Sequence, residues 1–324
     1  MNNSLINHED SKPTIGIGAC LVGQAVRYSG DSKRKNPHIE NIKNHLNLNS
    51  FCPEMAIGLG VPRETIRLVG DLGNIRLTDS NTQTKDYTEP MKNYAAQVFA
   101  SNPDMAGYIL VKGSPSCGYA RVKRYNEKGN SMGADAMGLF AEELHKHDPL
   151  LPLEEDGRLN DAMLRENFIS RVYAYNDWKE TVKAGINHRS LIEFWARYKY
   201  MVMAHSINNY KTIGRLLANN QHESIDALAQ EFITLLMDSL KSMASRKSRT
   251  NVLEHIRGYL KKQLSSDDKQ ELSQVINQYR SGIVPLVVPL TLLRHHFKRH
   301  HHDYIAKQVF FQPYPDQLSL RNHI

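Results

Sequence analysis

The sequence predicts an α/β N-terminal domain, with a mainly parallel sheet and flanking helices, followed by an all-α helical C-terminal domain. Fourteen of the 19 glycines precede residue 150, and short apolar runs alternate with a helical pattern in that part of the chain. From Asn160 onward the apolar residues recur with helical spacing. Strands that alternate with helices are typical of parallel sheets, whereas continuous helical periodicity indicates a bundle.

The length of 324 residues suits two domains. The segment from His147 to Gly157 (HDPLLPLEEDG) is rich in prolines and acids, which is typical of a boundary between domains. We therefore expect the domains to comprise residues 1–149 and 150–324.

Within the first domain, three apolar runs that end at turn residues predict strands, and one longer pattern predicts a helix. The predicted strands lie at Thr14–Leu21, Ile66–Leu68 and Gly107–Lys112, and the helix at Glu89–Ala100.

In the second domain, Leu191, Phe194, Trp195 and Tyr198 follow the spacing i, i+3, i+4, i+7, which places them on one helical face. We expect Trp195 and Tyr198 to pack in a core. Further helices are predicted at Ile225–Ala244, Asn251–Leu264, Asp267–Ser281 and Leu290–His302, with a break at Gly282–Pro289.

Composition restricts the class of protein. The chain has no apolar run of the roughly 18 residues that a membrane-spanning helix needs, and its N-terminus lacks the apolar segment of a secretory signal. The cysteine count of three is odd, which argues against a secreted disulfide framework. We expect no membrane association and a location in the reducing cytoplasm.

Positive charge is concentrated in the second half. Residues 1–149 hold 17 Lys and Arg against 16 Asp and Glu, whereas residues 150–324 hold 24 against 18. Such asymmetry indicates a polyanionic partner. A solvated helical surface explains the same excess, and charge alone leaves both interpretations open.

The three cysteines are Cys20, Cys52 and Cys117. Cys20 ends the first apolar run, Cys52 opens a turn, and Cys117 follows the run YILV. Because ligands bind at the carboxyl ends of strands in an open α/β sheet, the three thiols can converge on one point. Buried structural cysteines, which pack like small apolar residues, are the alternative, and spacing alone leaves both open.

The chemistry of three thiolates favours an iron–sulfur cluster over zinc. Structural zinc usually takes four ligands with paired C-x-x-C spacing, which this chain lacks. A [4Fe-4S] cube normally takes four cysteines, so three would leave one iron without a protein ligand and open to a sulfur-containing substrate. Glu54, in CPE, and the hydroxyls of SPSCG are polar neighbours that a core cysteine does not need.

Four segments in order, AC-LVG-VRYSG, FCPE-GL-VPR, KGSPSCG and GADAMGLFA, resemble the TudS-type thiouracil desulfidases over about residues 13–145. VRYSGDS departs from the RYDG that is more usual in that family. The resemblance implies a [4Fe-4S] cluster bound by Cys20, Cys52 and Cys117. On this basis we expect Glu54 to act as general base for an attacking water and Ser114 to donate a hydrogen bond or relay a proton, with Ser116 as the competing hydroxyl.

The second half resembles the YbgA-like domain over about residues 180–320, through FWARYKYMVMAHS, RTNVLEHIRGYLKKQL and YRSGIVPLVVPLTLLRHHF. The combination of both domains is similar to the RudS-type tRNA desulfidases. It implies removal of sulfur from 4-thiouridine in tRNA, giving uridine and hydrosulfide. Cations that fix a phosphate backbone are expected at Arg197, Lys199, Lys247, Arg249, Lys261, Lys262, Arg294 and Lys298.

Two other functions remain open from the sequence. The chain could be a desulfidase for free thiouracil bases or nucleosides, with a second domain that only stabilises it. It could instead be a non-enzymatic nucleic-acid-binding protein with a structural metal. The sequence does not determine the oligomeric state.

Overall fold

A computed structural model describes residues 12–219 and 224–323. These residues form two compact units, which divide between Asp161 and Ala162. The predicted boundary at 149/150 therefore lies too early. The segment that looked like a linker contains a short strand, Leu153–Glu155, whose three residues are all buried.

The first unit is the α/β unit. Its elements in chain order are β1 (Thr14–Gly18), α1 (Pro37–Ile42), β2 (Asn47–Phe51), α2 (Pro53–Ala56), β3 (Ile66–Val69), β4 (Arg76–Asp79), α3 (Thr88–Ser101), β5 (Met105–Leu110), β6 (Val122–Tyr125), β7 (Ser131–Ala136), α4 (Leu139–His147) and β8 (Leu153–Glu155). The predicted strands at β1, β3 and β5 and the predicted helix at α3 are confirmed.

Sheet A has the strand order β2-β1-β5-β8, and all of its neighbouring strands are parallel. All six residues of β5 are buried, as expected for a central strand that is covered on both faces. The predicted parallel sheet is thereby confirmed.

Sheet B has the order β4-β3-β6-β7 and is mixed. β3 pairs antiparallel with β4, β6 pairs antiparallel with β7, and β3 runs parallel to β6. Of these strands the sequence indicated only β3. The β6–β7 pair escaped notice because β7 is largely exposed and has no apolar run.

The second unit is helical, as predicted. It contains α5 (Ala162–Lys183), α6 (His188–His205), α7 (Ile207–Asn219), α8 (Ile225–Lys241), α9 (Arg246–Arg257), α10 (Ser266–Arg280), α11 (Val287–Arg299) and α12 (Asp303–Ala306). Side-chain oxygens at the helix starts accept the first free amides: Asn187 caps α6, Ser224 caps α8, Ser245 caps α9 and Ser265 caps α10.

Aromatic residues form the core of the helical unit. Tyr198 is fully buried and stacks on Phe194 with a centroid distance of 4.5 Å, and Trp178 meets Phe194 edge-on at 5.4 Å. The core role expected for Tyr198 is confirmed, whereas Trp195 is only half-buried.

Two predicted helix boundaries were wrong. The helix predicted at Asn251–Leu264 lies at Arg246–Arg257, because Ser245 supplies an N-cap earlier in the chain. The predicted break at Gly282–Pro289 is shorter, since α11 already begins at Val287. Pro289 fits in its first turn, where a backbone amide has no partner within the helix. None of the helices in the described residues combines the length and apolar character needed to cross a membrane.

Candidate active site

The three cysteines lie at the carboxyl edge of sheet A. Gly18 at the end of β1 pairs with Phe51 at the end of β2, so these two neighbouring strands stop at the same level. Cys52 directly follows β2, Cys20 lies in the single turn after β1, and Cys117 lies in the loop after β5. All three line one cavity of about 280 Å³. The predicted convergence of the thiols is therefore observed.

Burial keeps these thiols neutral in the absence of a positive partner. Cys20 and Cys117 are buried and Cys52 is half-buried, and none of them forms a disulfide. Burial raises the pKa of the Cys20 thiol to about 11, and it also raises the pKa of Cys52 and of Cys117. A cationic group that bound all three would have to displace their protons.

The arrangement does not suit a single metal ion. Within residues 12–219 and 224–323, no three His, Cys, Asp or Glu side chains are placed to hold one ion. The three cysteines nevertheless line one cavity of about 280 Å³, which has room for a group larger than one ion.

Glu54 lies in the first turn of α2, directly after Cys52 at the N-cap and Pro53 at the first helical position. Arg63 donates two hydrogen bonds to Oε2 of Glu54, from Nε at 2.9 Å and from Nη2 at 2.6 Å. The Arg63 side chain is only 4% exposed, and it also donates to the carbonyls of Val26 and Gly60. The carboxylate is thus fixed in orientation, with Oε1 left for another donor.

That other donor is Ser116. Its hydroxyl donates to Oε1 of Glu54 at 2.5 Å, and it lies 3.0 Å from the hydroxyl of Ser114. Ser114 lines the cavity and accepts a hydrogen bond from the backbone amide of Cys117 at 3.1 Å. Glu54, Ser116 and Ser114 therefore form one hydrogen-bonded chain at the cavity wall. Ser116, which the sequence analysis named only as the competitor of Ser114, is therefore the hydroxyl that contacts Glu54.

The backbone of the loop that carries Cys117 is hydrogen-bonded to the start of α4. The amide of Leu139 donates to the carbonyl of Pro115, and the amide of Phe140 donates to the carbonyl of Ser116, both at 3.0 Å. Gly138 makes this approach possible, because a Cβ there would lie 2.5 Å from the Ser116 carbonyl oxygen. The GADAMG segment, which ends at Gly138, therefore helps to position the Cys117 loop through its backbone.

Sequence reasoning missed three residues near the cysteines. Arg63 was missed because nothing in a linear reading links it to Glu54 nine positions away. Lys33 and Asp156 form an ion pair of 2.7 Å, and Asp156 also accepts from the amide of Lys112 at 2.9 Å. Asp156 follows β8 at the edge of sheet A that carries the cysteines, but the predicted boundary had excluded it from this unit.

The basic residues predicted to contact nucleic acid fall into three groups. Three arginines are held in ion pairs within the helical unit: Arg197 with Asp177, Arg249 with Glu166 and Arg294 with Asp316. Lys199 is half-buried, with its ammonium 4.6 Å from the centre of the Tyr304 ring. The remaining four are exposed, namely Lys247, Lys261, Lys262 and Lys298.

Two family models match the chain. Residues 15–156 match 2-thiouracil desulfurase, and residues 199–315 match a protein of unknown function (DUF1722). A curated protein of Escherichia coli (strain K12), the uncharacterized protein YbgA, is 26% identical over 165 residues, which are 51% of this chain and 98% of that protein.

One solved structure, described as a [4Fe-4S]-dependent thiouracil desulfidase TudS, is 27% identical. The match covers 46% of this chain and 94% of that chain, with a TM-score of 0.38.

Proposed function

We propose that this chain, which joins a 2-thiouracil desulfurase domain to a DUF1722 domain, is a [4Fe-4S]-dependent desulfidase acting on 4-thiouridine in tRNA. The products are uridine and hydrosulfide. One observation carries the proposal: the chain's three cysteines line a single cavity whose wall also holds Glu54 and Ser114.

The site suits the cluster in number and kind of ligand. Cys20, Cys52 and Cys117 would hold it, and thiolates are the usual ligands of iron–sulfur clusters. When bound, the cluster would supply an iron that has no protein ligand and acts as a Lewis acid with affinity for sulfur. Lys33 and Arg27 also line the cavity and would offset part of the negative charge of three thiolates.

The chain's own residues account for the proton transfers. Replacing C=S by C=O consumes one water and releases hydrosulfide, so no electrons are gained or lost overall. Glu54 takes a proton from the attacking water through a carboxylate oxygen, as a general base. Arg63 holds that carboxylate in place, and Ser116 and Ser114 extend its hydrogen bonding along the cavity wall. A general base of this kind contributes about 10²- to 10⁴-fold in rate.

The helical unit supports an RNA substrate by its charge. Its cations outnumber its acids, and Lys247, Lys261, Lys262 and Lys298 are exposed. Exposed lysines neutralise phosphates without reading sequence. Arg197, Arg249 and Arg294 are less suited to this task, because they are already paired with carboxylates. A thiolated base must also leave its stack to enter a cavity of this size.

The cluster is tested by iron and acid-labile sulfide analysis of anaerobically reconstituted protein. We expect about four irons and four sulfides per chain. Cys117→Ala should lose most of both, whereas Glu54→Gln should keep them. A zinc content without labile sulfide, or a Cys117→Ala protein with full activity, would contradict the ligand assignment.

The reaction is tested by incubating the reconstituted protein with bulk bacterial tRNA, followed by nucleoside analysis. We expect 4-thiouridine to fall and uridine to rise by the same amount. Glu54→Gln should slow the reaction at least 100-fold, and Glu64→Gln, which changes a nearby exposed carboxylate, should not. Failure of wild type on tRNA, with turnover of free 4-thiouridine, would reject RNA as the substrate.

A further inference from the structure

Tyr108 on β5 carries a hydroxyl that is buried and has no hydrogen-bond partner among the described residues. The whole side chain is inaccessible to solvent. Buried hydroxyls are normally hydrogen-bonded, because a buried polar group without a partner lowers the stability of the fold. An orphaned hydroxyl in the core therefore indicates a partner that the polypeptide itself does not supply.

The Tyr108 ring extends over the neighbouring strand β1 towards β2. Tyr108 is paired in register with Gly16 on β1, and a Cβ at Gly16 would lie 2.1 Å from a carbon of the ring. Glycine is thus required at this position for the ring to approach the backbone so closely. The centre of the ring lies 6.1 Å from that of Phe51, which ends β2 on the far side of β1.

The neighbours of this ring belong to the segments that carry the cysteines. Phe51 directly precedes Cys52. Phe140 meets the Tyr108 ring edge-on with a centroid distance of 5.7 Å, and its amide donates to the carbonyl of the residue before Cys117. The ring is therefore fixed between two of the three cysteine-bearing segments.

The Tyr108 hydroxyl stays protonated at neutral pH and so remains a donor. Burial raises the pKa of Tyr108 well above its ordinary value, and negative charge on Cys117, and to a smaller extent on Cys52 and Cys20, raises this pKa further. Each of the three thiolates therefore acts electrostatically on the phenol group. A negatively charged sulfur is also a good acceptor for the proton of a hydroxyl.

We propose that the Tyr108 hydroxyl donates a hydrogen bond to a sulfur atom of the bound [4Fe-4S] cluster and thereby raises the reduction potential of that cluster. The inference rests on the proposed function for the presence of the cluster, but it does not depend on which thiolated base is the substrate. A hydrogen bond to a cluster sulfur favours the more negatively charged, reduced state. It also withdraws electron density from the irons, so the iron without a protein ligand binds a sulfur donor more strongly.

The first test measures the reduction potential of the reconstituted full chain by anaerobic redox titration. Tyr108→Phe removes one oxygen and keeps the ring that packs against Gly16. At a fixed potential we expect the ratio of reduced to oxidised cluster to fall about tenfold, which is about 59 mV for a one-electron couple. An unchanged ratio, in protein with its full iron and sulfide content, would overturn the proposal.

Tyr94→Phe is the matched control. The Tyr94 ring stacks on the same Phe140 at 5.9 Å, but this tyrosine is half-buried and its hydroxyl is not an orphaned buried atom. We expect the ratio of reduced to oxidised cluster to be the same in Tyr94→Phe as in wild type.

A spectroscopic test detects the hydrogen bond itself. The reduced cluster is paramagnetic, so a proton bonded to one of its sulfurs couples to the electron spin and is visible by electron–nuclear double resonance. We expect a coupling that exchanges in deuterium oxide, and it should be absent from Tyr108→Phe but present in Tyr94→Phe. Identical exchangeable couplings in wild type and Tyr108→Phe would contradict the assignment.

A stability test on the cluster-free full chain examines whether the hydroxyl already has another partner. If it has none, Tyr108→Phe should not lower the melting temperature. Tyr198→Phe provides the contrast, because Tyr198 is also fully buried but its hydroxyl is hydrogen-bonded to Asp177, so this variant should melt at a lower temperature. A fall as large in Tyr108→Phe would show that protein or water satisfies the hydroxyl, and would overturn the proposal.

Failure of the Tyr108 assignment is distinguishable from failure of the proposed function. If the reconstituted protein turns over no thiolated substrate but Tyr108→Phe shifts the potential and loses the coupling, the Tyr108 assignment stands and the desulfidase assignment fails. If substrate is turned over but potential and coupling are unaffected by Tyr108→Phe, the Tyr108 assignment fails while the desulfidase assignment stands.

Discussion

The Ser116 hydroxyl donates a 2.5 Å hydrogen bond to Glu54, which lies 62 positions earlier in the chain. This contact joins the loop after β5 to the start of α2, and thus two of the three cysteine-bearing segments. Ser116→Ala should therefore lower kcat about 10- to 100-fold, because a hydrogen bond to a carboxylate is worth about 1.5–3 kcal/mol. Iron content should be unchanged, as measured on the same preparation.

Ser114→Ala tests the other end of this hydrogen-bonded chain. The Ser114 hydroxyl accepts from the amide of Cys117, so its removal should loosen a proposed cluster ligand as well as slow the reaction. We expect a lower iron content for this variant and not for Ser116→Ala. Full iron retention with full activity in Ser114→Ala would assign Ser114 no role.

Arg63→Met should destabilise the α/β unit. It removes the partner of Glu54 from an ion pair in which the two side chains are only 4% and 16% exposed. Breaking a buried pair costs about 3–5 kcal/mol, and the residual exposure of Glu54 places this one at the lower end. Urea unfolding of cluster-free protein measures the loss. The double variant Glu54→Gln/Arg63→Met should recover part of it, and additive losses would contradict direct pairing.

Gly138→Ala should disrupt the contact between the Cys117 loop and the start of α4. Its Cβ would lie 2.5 Å from the backbone oxygen of Ser116, which cannot move without shifting the loop. We expect at least 10-fold lower activity and reduced iron content. Gly214→Ala is the matched control, because that glycine lies within α7 with no atom within 4 Å of the added Cβ. It should raise stability by about 0.5–1 kcal/mol.

Glu166 should make the stability of the helical unit depend on pH. Burial by itself would raise the pKa of this carboxyl, but the two guanidiniums of Arg249 and Arg321 outweigh burial and lower its pKa. The stabilisation is therefore fully present above the unfolded pKa of about 4.3, and it is lost as pH falls through the lower folded value. Thermal melts followed by circular dichroism between pH 3 and pH 7 measure this.

Glu166→Gln tests whether Glu166 causes this pH dependence of stability. It leaves two buried arginines without a carboxylate, so the unit should lose about 3–5 kcal/mol near neutral pH. The remaining decline in stability below pH 4.5 should become shallower than in wild type. A decline as steep as in wild type would show that other carboxyls cause it.

The sequence predicted the site best where a residue of distinctive chemistry, such as a cysteine, follows a recognisable apolar run. Cys20 and Cys117 follow the predicted strands β1 and β5, so their place at the edge of sheet A could be foreseen. β2, which precedes Cys52, has no apolar run and was not predicted. The contact between Ser116 and Glu54 could not, because it depends on how the loop after β5 turns on the start of α4. From the sequence, Ser114 was the chosen hydroxyl and Ser116 only its competitor.

The sequence did not predict which cations are free to bind a ligand. Arg197, Arg249 and Arg294 look like free cations in the sequence, yet each has a carboxylate partner far along the chain. Arg67, Arg121 and Lys123 lie in the half whose net charge is almost zero, and the sequence did not single them out. Yet no acidic side chain in the described part of the chain forms an ion pair with them. Net charge counts residues, whereas availability to a ligand depends on which of them the fold neutralises.

The sheet order β2-β1-β5 also sets when during biosynthesis the cysteines can act together. Their loops are brought side by side only by strand pairing, because no two of the cysteines are close in sequence. A nascent chain cannot present all three until β5 and the loop beyond it have left the ribosome. The proposed cluster, which needs all three thiols, could therefore be bound completely only after the loop that carries Cys117 has emerged.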